Sequence, residues 1–207
     1  VALENRHLDV VKTVIPVTMQ SNLLSQVKKI CNDISDICNG IFLIGELSER
    51  TKDRIISYGE IMSSKILSAK LQSMSVENEW KDSRDLITTD ANFGKAAVDF
   101  PVTNNKITAF FLASESSLFI LPGFIASSSN GDITTLGRGG SDYTGAILAA
   151  ACNATVFEVW TDVSGMMTAD PRIVKNIKLI PRISYQEAME LSHFGAKVIY
   201  PPTIQPV

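Results

Sequence analysis

The sequence is poor in the features on which small secreted and membrane proteins depend. It holds three cysteines in 207 residues, Cys31, Cys38 and Cys152, too few and too irregularly spaced for a disulfide framework or a zinc site. They read as free thiols of a reducing cytoplasm. No apolar run reaches the roughly 20 residues that cross a bilayer, and Arg6, His7 and Asp9 interrupt any signal-peptide pattern at the front. Positive charge is not in excess either. The 19 Lys and Arg against 22 Asp and Glu leave a net charge of −3, which argues against a nucleic-acid partner. There is no internal repeat, and low-complexity sequence is confined to Ser127, Ser128 and Ser129.

What is present fits a globular chain of one or at most two domains. Hydrophobic residues make up 45%, charged residues 20% and aromatic residues 7%, enough apolar mass for a core without disulfide or metal staples. The chain reads as a single domain over 1–207, with a helical portion over 1–40. Its first residue is Val1 rather than Met, so we read it as part of something longer.

Apolar positions at helical spacing (Leu8, Val11, Val14 and Ile15, then Leu23, Leu24, Val27 and Ile30) predict two helices parted by Pro16. Asn39-Gly40 is the expected stop of the second, followed by a short strand Ile41–Ile44. Ser48 is the expected cap of a third helix running to about Leu71, with Ile55, Ile56, Met62, Ile66 and Leu67 inward. Ser73–Trp80 reads as a strand. The segment from Lys106 to Ala113 suits a helix or a strand, and Leu118–Ala126 is an apolar run broken by Pro122-Gly123. A polar loop is expected over 127–132, then a helix of small residues over Tyr143–Cys152, then a strand over Thr155–Trp160. Ser184 and Glu187 stand at capping-box spacing at the start of a last helix that Gly195 ends. Strands alternating with helices predict an α/β protein with a largely parallel sheet.

Four segments carry chemistry. In 137-GRGGSDYTGAILAAA-151 three glycines fall within four positions, between a strand and a helix. Such a turn brings backbone N–H groups and a helix N-terminus up to an anion, and Arg138 adds a planar fork for a carboxylate or phosphate. Neither the P-loop spacing nor the GxGxxG dinucleotide fingerprint is met. In 161-TDVSGMMTADPR-172, Thr161 and Asp162 follow the expected strand, where ligand sites of parallel sheets gather, and Arg172 follows the Asp170-Pro171 turn. In 193-HFGAKVIYP-201, Gly195 would let Lys197 approach a ligand. In 57-SYGE-60, Glu60 sits near the buried edge of a helix. Each segment alone has an ordinary structural reading.

Together and in this order, TTLGRGGSDYTGAILA, VWTDVSGMMTADPR and SYQEAMELSHFGAKVIYPPTI resemble the aspartokinases of the amino-acid-kinase superfamily. SYQEAMELSHFGAKV and SYGEIMSSKIL are especially similar to the bifunctional aspartokinase–homoserine dehydrogenases. The resemblance implies a three-layer α/β/α sandwich around a mostly parallel sheet, the amino-acid-kinase fold. It implies transfer of the ATP γ-phosphoryl group to the side-chain carboxylate of L-aspartate, with Mg²⁺ held mostly by nucleotide and water. The acceptor is already ionised at neutral pH, so no general base has to create the nucleophile. The site must instead bring anions together and stabilise charge on the transferring group.

By the same resemblance, Arg138 pairs with the α-carboxylate of aspartate and Glu60 with its ammonium, while Phe124 and Thr135 line the amino-acid pocket. Asp142 matches the family's catalytic-site aspartate, alongside Arg138 and Lys197. Thr161, Asp162, Met167, Arg172, Lys197 and the Gly139-Gly140-Ser141 turn belong to the nucleotide side. Met167 stands where many relatives have tyrosine. The KFGGTS segment of the family, with its phosphate-binding lysine, has no counterpart in the sequence. C-terminal regulatory domains and a dehydrogenase portion are also not seen, so the expectation is that this chain alone does not turn over. A cytoplasmic homo-oligomer is implied for the full-length protein. The rival class is a ligand-binding module that kept the fold and lost the chemistry, and kinases of glutamate, acetylglutamate or UMP would share only the nucleotide half.

Overall fold

The apolar stripes of the first seventy residues assemble one helical layer. A computed structural model describes residues 2–170, 172–194 and 198–207. Helix α1 (Ala2–Val14) and helix α2 (Gln20–Ile44) are parted at Pro16 by a single turn of 3₁₀ helix, Val17–Met19. Leu8, Val11 and Ile15 close on Leu23, Val27 and Cys31, and the seam continues onto Met62 and Ile66 of α3 (Glu49–Ser73). Ser48 caps α3 by accepting the Thr51 N–H at 3.2 Å.

Helix α2 runs further than its sequence suggests. Asn39-Gly40 does not stop it, and the expected strand Ile41–Ile44 is its last turn. The stop is Gly45, whose φ of +75° lets its N–H reach back to the Ile41 carbonyl at 2.7 Å. Phe42, Leu43 and Ile44 look like a buried strand in sequence but are 76–85% exposed. Helix α3 also presents a different face from the expected one. Met62 and Ile66 are buried, Ile55 is half-buried, and Ile56 and Leu67 are exposed. The inward face is largely polar instead, with Asp53, Ser57, Ser64 and Ser68 buried beside Tyr58 and Ile61.

The strands are short and lie in two sheets. β1 (Glu79–Trp80) pairs in parallel with β3 (Phe119–Ile120). In the second sheet β2 (Thr88–Thr89) runs parallel to β4 (Ile125–Ser128), and β4 runs antiparallel to β5 (Ile133–Thr135). The largely parallel single sheet of the sequence reading is therefore a mixed arrangement within the expected α/β class. Three expected segments differ. Ser73–Trp80 contributes only its last two residues, because α3 persists to Ser73 and Ser75 turns the chain at φ +62°. Ser127 and Ser128 belong to β4, so the loop after them is a tight turn. Thr155–Trp160 forms no strand ladder among the described residues: Val156 and Trp160 face solvent, and β propensity alone does not make a strand without a partner edge.

α4 (Ser83–Leu86) and α5 (Phe100–Ala113) flank the second sheet; the Lys106–Ala113 segment is thereby helical, capped by Asp99. Ile87, Ile107, Ala126, Leu136 and Ile147 form the core between α5, this sheet and α6 (Gly140–Ala151). A third cluster, Tyr58, Ile61 and Ile125 with Phe124 against it, joins α3 to the sheet. α7 (Tyr185–His193) carries the full capping box, Ser184 accepting from the Glu187 N–H at 3.2 Å while the Glu187 carboxylate accepts from Ser184 N–H at 2.9 Å. The expected stop at Gly195 lies outside the described residues, as does Lys197.

Candidate functional site

The cavity forms where α3, β5 and the start of α6 converge. β5 delivers Thr135 and Leu136 into the turn Gly137-Arg138-Gly139, and α6 begins at Gly140. Gly137 and Gly139 hold φ of +74° and +71°, which fold the turn back under α6. A side chain at Gly139 would also lie 2.4 Å from Cβ of Tyr200, so the 198–207 segment rests directly on the turn. Gly139 offers α6 no side-chain cap, and first-turn N–H groups of a helix have no intrahelical partner. Gly140 N–H is engaged by the Gly137 carbonyl at 3.0 Å. The N-terminal end of α6, with the positive end of its dipole, thus opens into the cavity.

The cavity is open to solvent, with a volume of about 480 Å³, and Glu60, Phe124, Thr135, Arg138 and the Gly139–Asp142 run all line it. That is the size range of small-ligand sites. Every residue assigned to the amino-acid end by resemblance is therefore gathered at one place. Arg138 is exposed and in ion pair with no carboxylate among the described residues. Asp142, in the first turn of α6, is half-buried. Burial raises the Glu60 carboxyl above the ordinary glutamate range, because the ionised form is partly stripped of water.

Phe124 forms part of the wall in a backbone conformation that non-glycine residues rarely hold, φ +71°. Its N–H donates to the Thr144 hydroxyl at 2.9 Å and its carbonyl accepts from Leu136 N–H at 2.9 Å. Thr144 in turn donates to the Gly140 carbonyl at 2.8 Å. The strained residue is over-determined by α6 and by the end of β5, the usual circumstance in which such strain persists.

Sequence reasoning missed Asp53, Lys52 and Gly94, which also line the cavity. Asp53 is fully buried and accepts three hydrogen bonds, from Gly94 N–H at 2.8 Å, Thr135 N–H at 3.0 Å and the Thr135 hydroxyl at 2.9 Å. A signal existed: Lys52, Asp53, Ile56 and Glu60 fall at one-face helical spacing, so once Glu60 was singled out the preceding two turns were its neighbours. The Lys52 ammonium lies 3.3 Å from Glu49, at the mouth.

The Gly139-Gly140-Ser141 turn, assigned to the nucleotide side, lines this first cavity, but the other described nucleotide-side candidates lie elsewhere. Thr161 and Asp162 are exposed, the Thr161 hydroxyl donating to Asp162 at 3.1 Å. Thr161 lines a second cavity of about 400 Å³ with Phe157, Met166 and Ile204. Met167 is tied to Leu179 by an isolated antiparallel bridge. Arg172 is exposed and donates to Asp170 at 3.0 and 2.7 Å. None of these four lines the first cavity.

Comparison with known proteins places these residues in context. The sequence profile of the amino acid kinase family matches residues 6–207. The chain is 40% identical over 185 residues to a bifunctional aspartokinase/homoserine dehydrogenase of Buchnera aphidicola, covering 87% of this chain and 22% of that protein. It is 41% identical over 155 residues to lysine-sensitive aspartokinase 3 of Escherichia coli, covering 74% of this chain and 34% of that protein. Among solved structures, E. coli aspartokinase III in complex with aspartate and ADP (R-state) superimposes with a TM-score of 0.91 at 33% identity, over 99% of this chain and 45% of that one. The same enzyme with lysine and aspartate (T-state) gives a TM-score of 0.82 at 36% identity, over 90% of this chain and 42% of that one. The chain spans about a fifth to a third of the length of these curated relatives.

Proposed function

This chain belongs to the amino acid kinase family, and on that premise we propose that it is an aspartate kinase domain. The reaction is transfer of the ATP γ-phosphoryl group to the side-chain carboxylate of L-aspartate, giving 4-phospho-L-aspartate and ADP, the first step towards lysine, threonine and methionine. The observation that carries the reading is the convergence of a cation and an acid on one small cavity. Arg138 and the open end of α6 face the same space as Glu60. An α-amino acid needs such a pair, a fork for its carboxylate and an acceptor for its ammonium. Two of the superimposed enzymes hold aspartate in their crystal structures, one of them together with ADP.

In this reading Arg138 grips the α-carboxylate and Glu60 the ammonium, so that the substrate's side-chain carboxylate is turned towards the nucleotide. The glycine turn and α6 N-terminus stabilise charge developing on the transferring phosphoryl group. Asp142, in the first turn of α6, orients neighbouring cations. ATP enters as its Mg²⁺ complex, the ion held chiefly by phosphate and water oxygens. Thr161, Asp162, Met167, Arg172 and Lys197 form the nucleotide side. We place the activity in the cytoplasm, in a homo-oligomer of the full-length protein.

The test is binding, because the family's KFGGTS lysine has no counterpart in this sequence and turnover by the 207-residue chain is not expected. Calorimetry should show L-aspartate binding that Arg138→Ala weakens by roughly tenfold or more, the loss of a charge-assisted pair. Lys197→Ala should leave aspartate affinity in place and weaken the nucleotide. Unchanged aspartate affinity in Arg138→Ala would contradict the assignment, whereas aspartate-dependent ADP release at ordinary kinase rates by the wild-type chain would overturn only the expectation that this chain alone does not turn over.

A further inference from the structure

The acidic wall of the cavity has a hydrogen-bond polarity of its own, and Asp53 sets it. A threonine hydroxyl carries one proton and two lone pairs, while a carboxylate only accepts. The Thr135 hydroxyl donates its proton to Asp53 Oδ1 at 2.9 Å. The Thr135 N–H is taken by Asp53 Oδ2 at 3.0 Å, and the Thr135 carbonyl already accepts from Ala96 N–H at 2.9 Å. The Gly94 N–H nearby is spent on Asp53 Oδ2 as well, at 2.8 Å. The donors of Thr135 and Gly94 are therefore consumed by one buried carboxylate, and what Thr135 still offers is a lone pair of Oγ1. Apart from the Lys52 ammonium, which lies beside Glu49, the donors named for the cavity, Arg138 and the N–H groups of the α6 terminus, belong to the β5–α6 turn.

We propose that Asp53 is a specificity-determining positioning residue: by holding the Thr135 hydroxyl proton it makes that oxygen an obligate acceptor, so the cavity selects an ammonium-bearing dicarboxylate over the same dicarboxylate without the amine. The inference rests on the aspartate reading above and deepens it. Glu60 supplies charge for an ammonium; Thr135, fixed by Asp53, supplies direction. A ligand presenting a carboxylate or a bare methylene there meets an oxygen with no proton to give, and a buried acceptor left unpaired penalises the wrong ligand more than a good contact rewards the right one.

Asp53→Asn tests this with almost no change of shape. The two backbone N–H donors keep the side-chain oxygen at the Oδ2 position, which puts the amide NH₂ against Thr135 Oγ1 and releases the hydroxyl proton towards the cavity. Binding of L-aspartate and of succinate to the purified protein is measured by calorimetry, with a thermal melt on each variant. The expected result is aspartate affinity lowered by about tenfold or more with succinate affinity changed by less than about threefold, so that discrimination collapses. If Asp53→Asn does not melt cooperatively, Thr135→Ser and Thr135→Val read the same acceptor: Ser should keep the preference and Val should lose it. A folded Asp53→Asn that still prefers aspartate by the wild-type ratio, or a Thr135→Val that does, overturns this inference alone. A wild-type protein that binds neither ligand, or prefers succinate, overturns the aspartate reading and this inference with it.

Discussion

Replacing Gly140 by alanine isolates the steric demand of the β5–α6 turn. An added Cβ would sit 2.8 Å from Phe124 Cδ2, 3.1 Å from Leu136 Cβ and 3.2 Å from Phe124 Cα. The ring atom could move aside, but the Cα could not. Phe124 is held at φ +71° by its hydrogen bonds to Thr144 and Leu136, and Leu136 is itself buried. Inserting a methyl into such a contact costs about 1–3 kcal/mol. The return in helix propensity is at most about 1 kcal/mol for Gly→Ala, and less at a first helical position. A net loss of about 1–2 kcal/mol remains, which for a chain of this size lowers Tm by roughly 2–8 °C. Gly40→Ala is the internal control. Gly40 lies inside α2 with nothing within 4 Å of an added Cβ and no positive φ, so alanine there should stabilise by about 0.5–1 kcal/mol. Thermal melts by circular dichroism, with aspartate calorimetry on both variants, read the pair. The two substitutions should move Tm in opposite directions, with aspartate binding weakened only in Gly140→Ala. A Gly140→Ala protein that melts at or above wild type would refute the steric account of this turn.

On the proposed reading, the raised Glu60 carboxyl should make aspartate binding pH-dependent. Only the ionised form holds an ammonium, so affinity should rise with pH between the ordinary glutamate value and the raised one, and Glu60→Gln should bind weakly without that rise. Stability carries the opposite sign, because the folded state binds this proton more tightly than the unfolded chain and so loses stability as pH climbs through the same window. Calorimetry and melts across a pH series check both, and identical pH profiles in wild type and Glu60→Gln would count against the role. At the other end of the chain, Ser184→Ala removes the hydroxyl that caps α7 and accepts the Glu187 N–H at 3.2 Å. Amide exchange in the first turn of α7 should accelerate while that of α2 and α3 stays as it was; uniform protection would mean the box is not what starts the helix.

Much of the helical layer was legible because its signals are local. Leu8, Val11 and Ile15, Pro16, the Ser48 cap and the Ser184–Glu187 box each act within a turn or two of chain. The failures needed information that is not local. Ile41–Ile44 has the residue types of a strand, but a strand exists only where another edge receives it, and none does; the helix continues at little cost through Gly40. Thr155–Trp160 failed for the same reason. Ile56 and Leu67 were placed inward by hydrophobicity, yet the inward face of α3 is set by what meets it, the sheet end carrying Thr135, and that contact favours the acid Asp53. The candidate site was legible on the amino-acid side because β5, the glycine turn and α6 keep Thr135, Arg138 and Asp142 within eight positions, and only Glu60 and Phe124 had to arrive from elsewhere. Asp53 went unread, since a single aspartate in a polar stretch of helix looks like any solvated face until its burial is known.

Several departures from ordinary rules gather at one place. Phe124 in the left-handed region, a helix start without a side-chain cap, an arginine with no carboxylate partner among the described residues, a half-buried acid and a fully buried one all border the same cavity. The strained Phe124 and the partly desolvated Glu60 carboxyl cost stability when the site is empty, and the packed seam of α1 and α2 against α3 offsets that cost. The groups facing the cavity also differ in polarity: Arg138 and the α6 N–H groups at the β5–α6 turn are donors, whereas Glu60 and the Thr135 hydroxyl oxygen offer acceptors. A simple anion would relieve one side and a simple cation the other. A small zwitterion with a second carboxylate meets both at once, and that asymmetry, more than the identity of any one residue, is what supports the proposed reading of an acidic amino acid as the occupant.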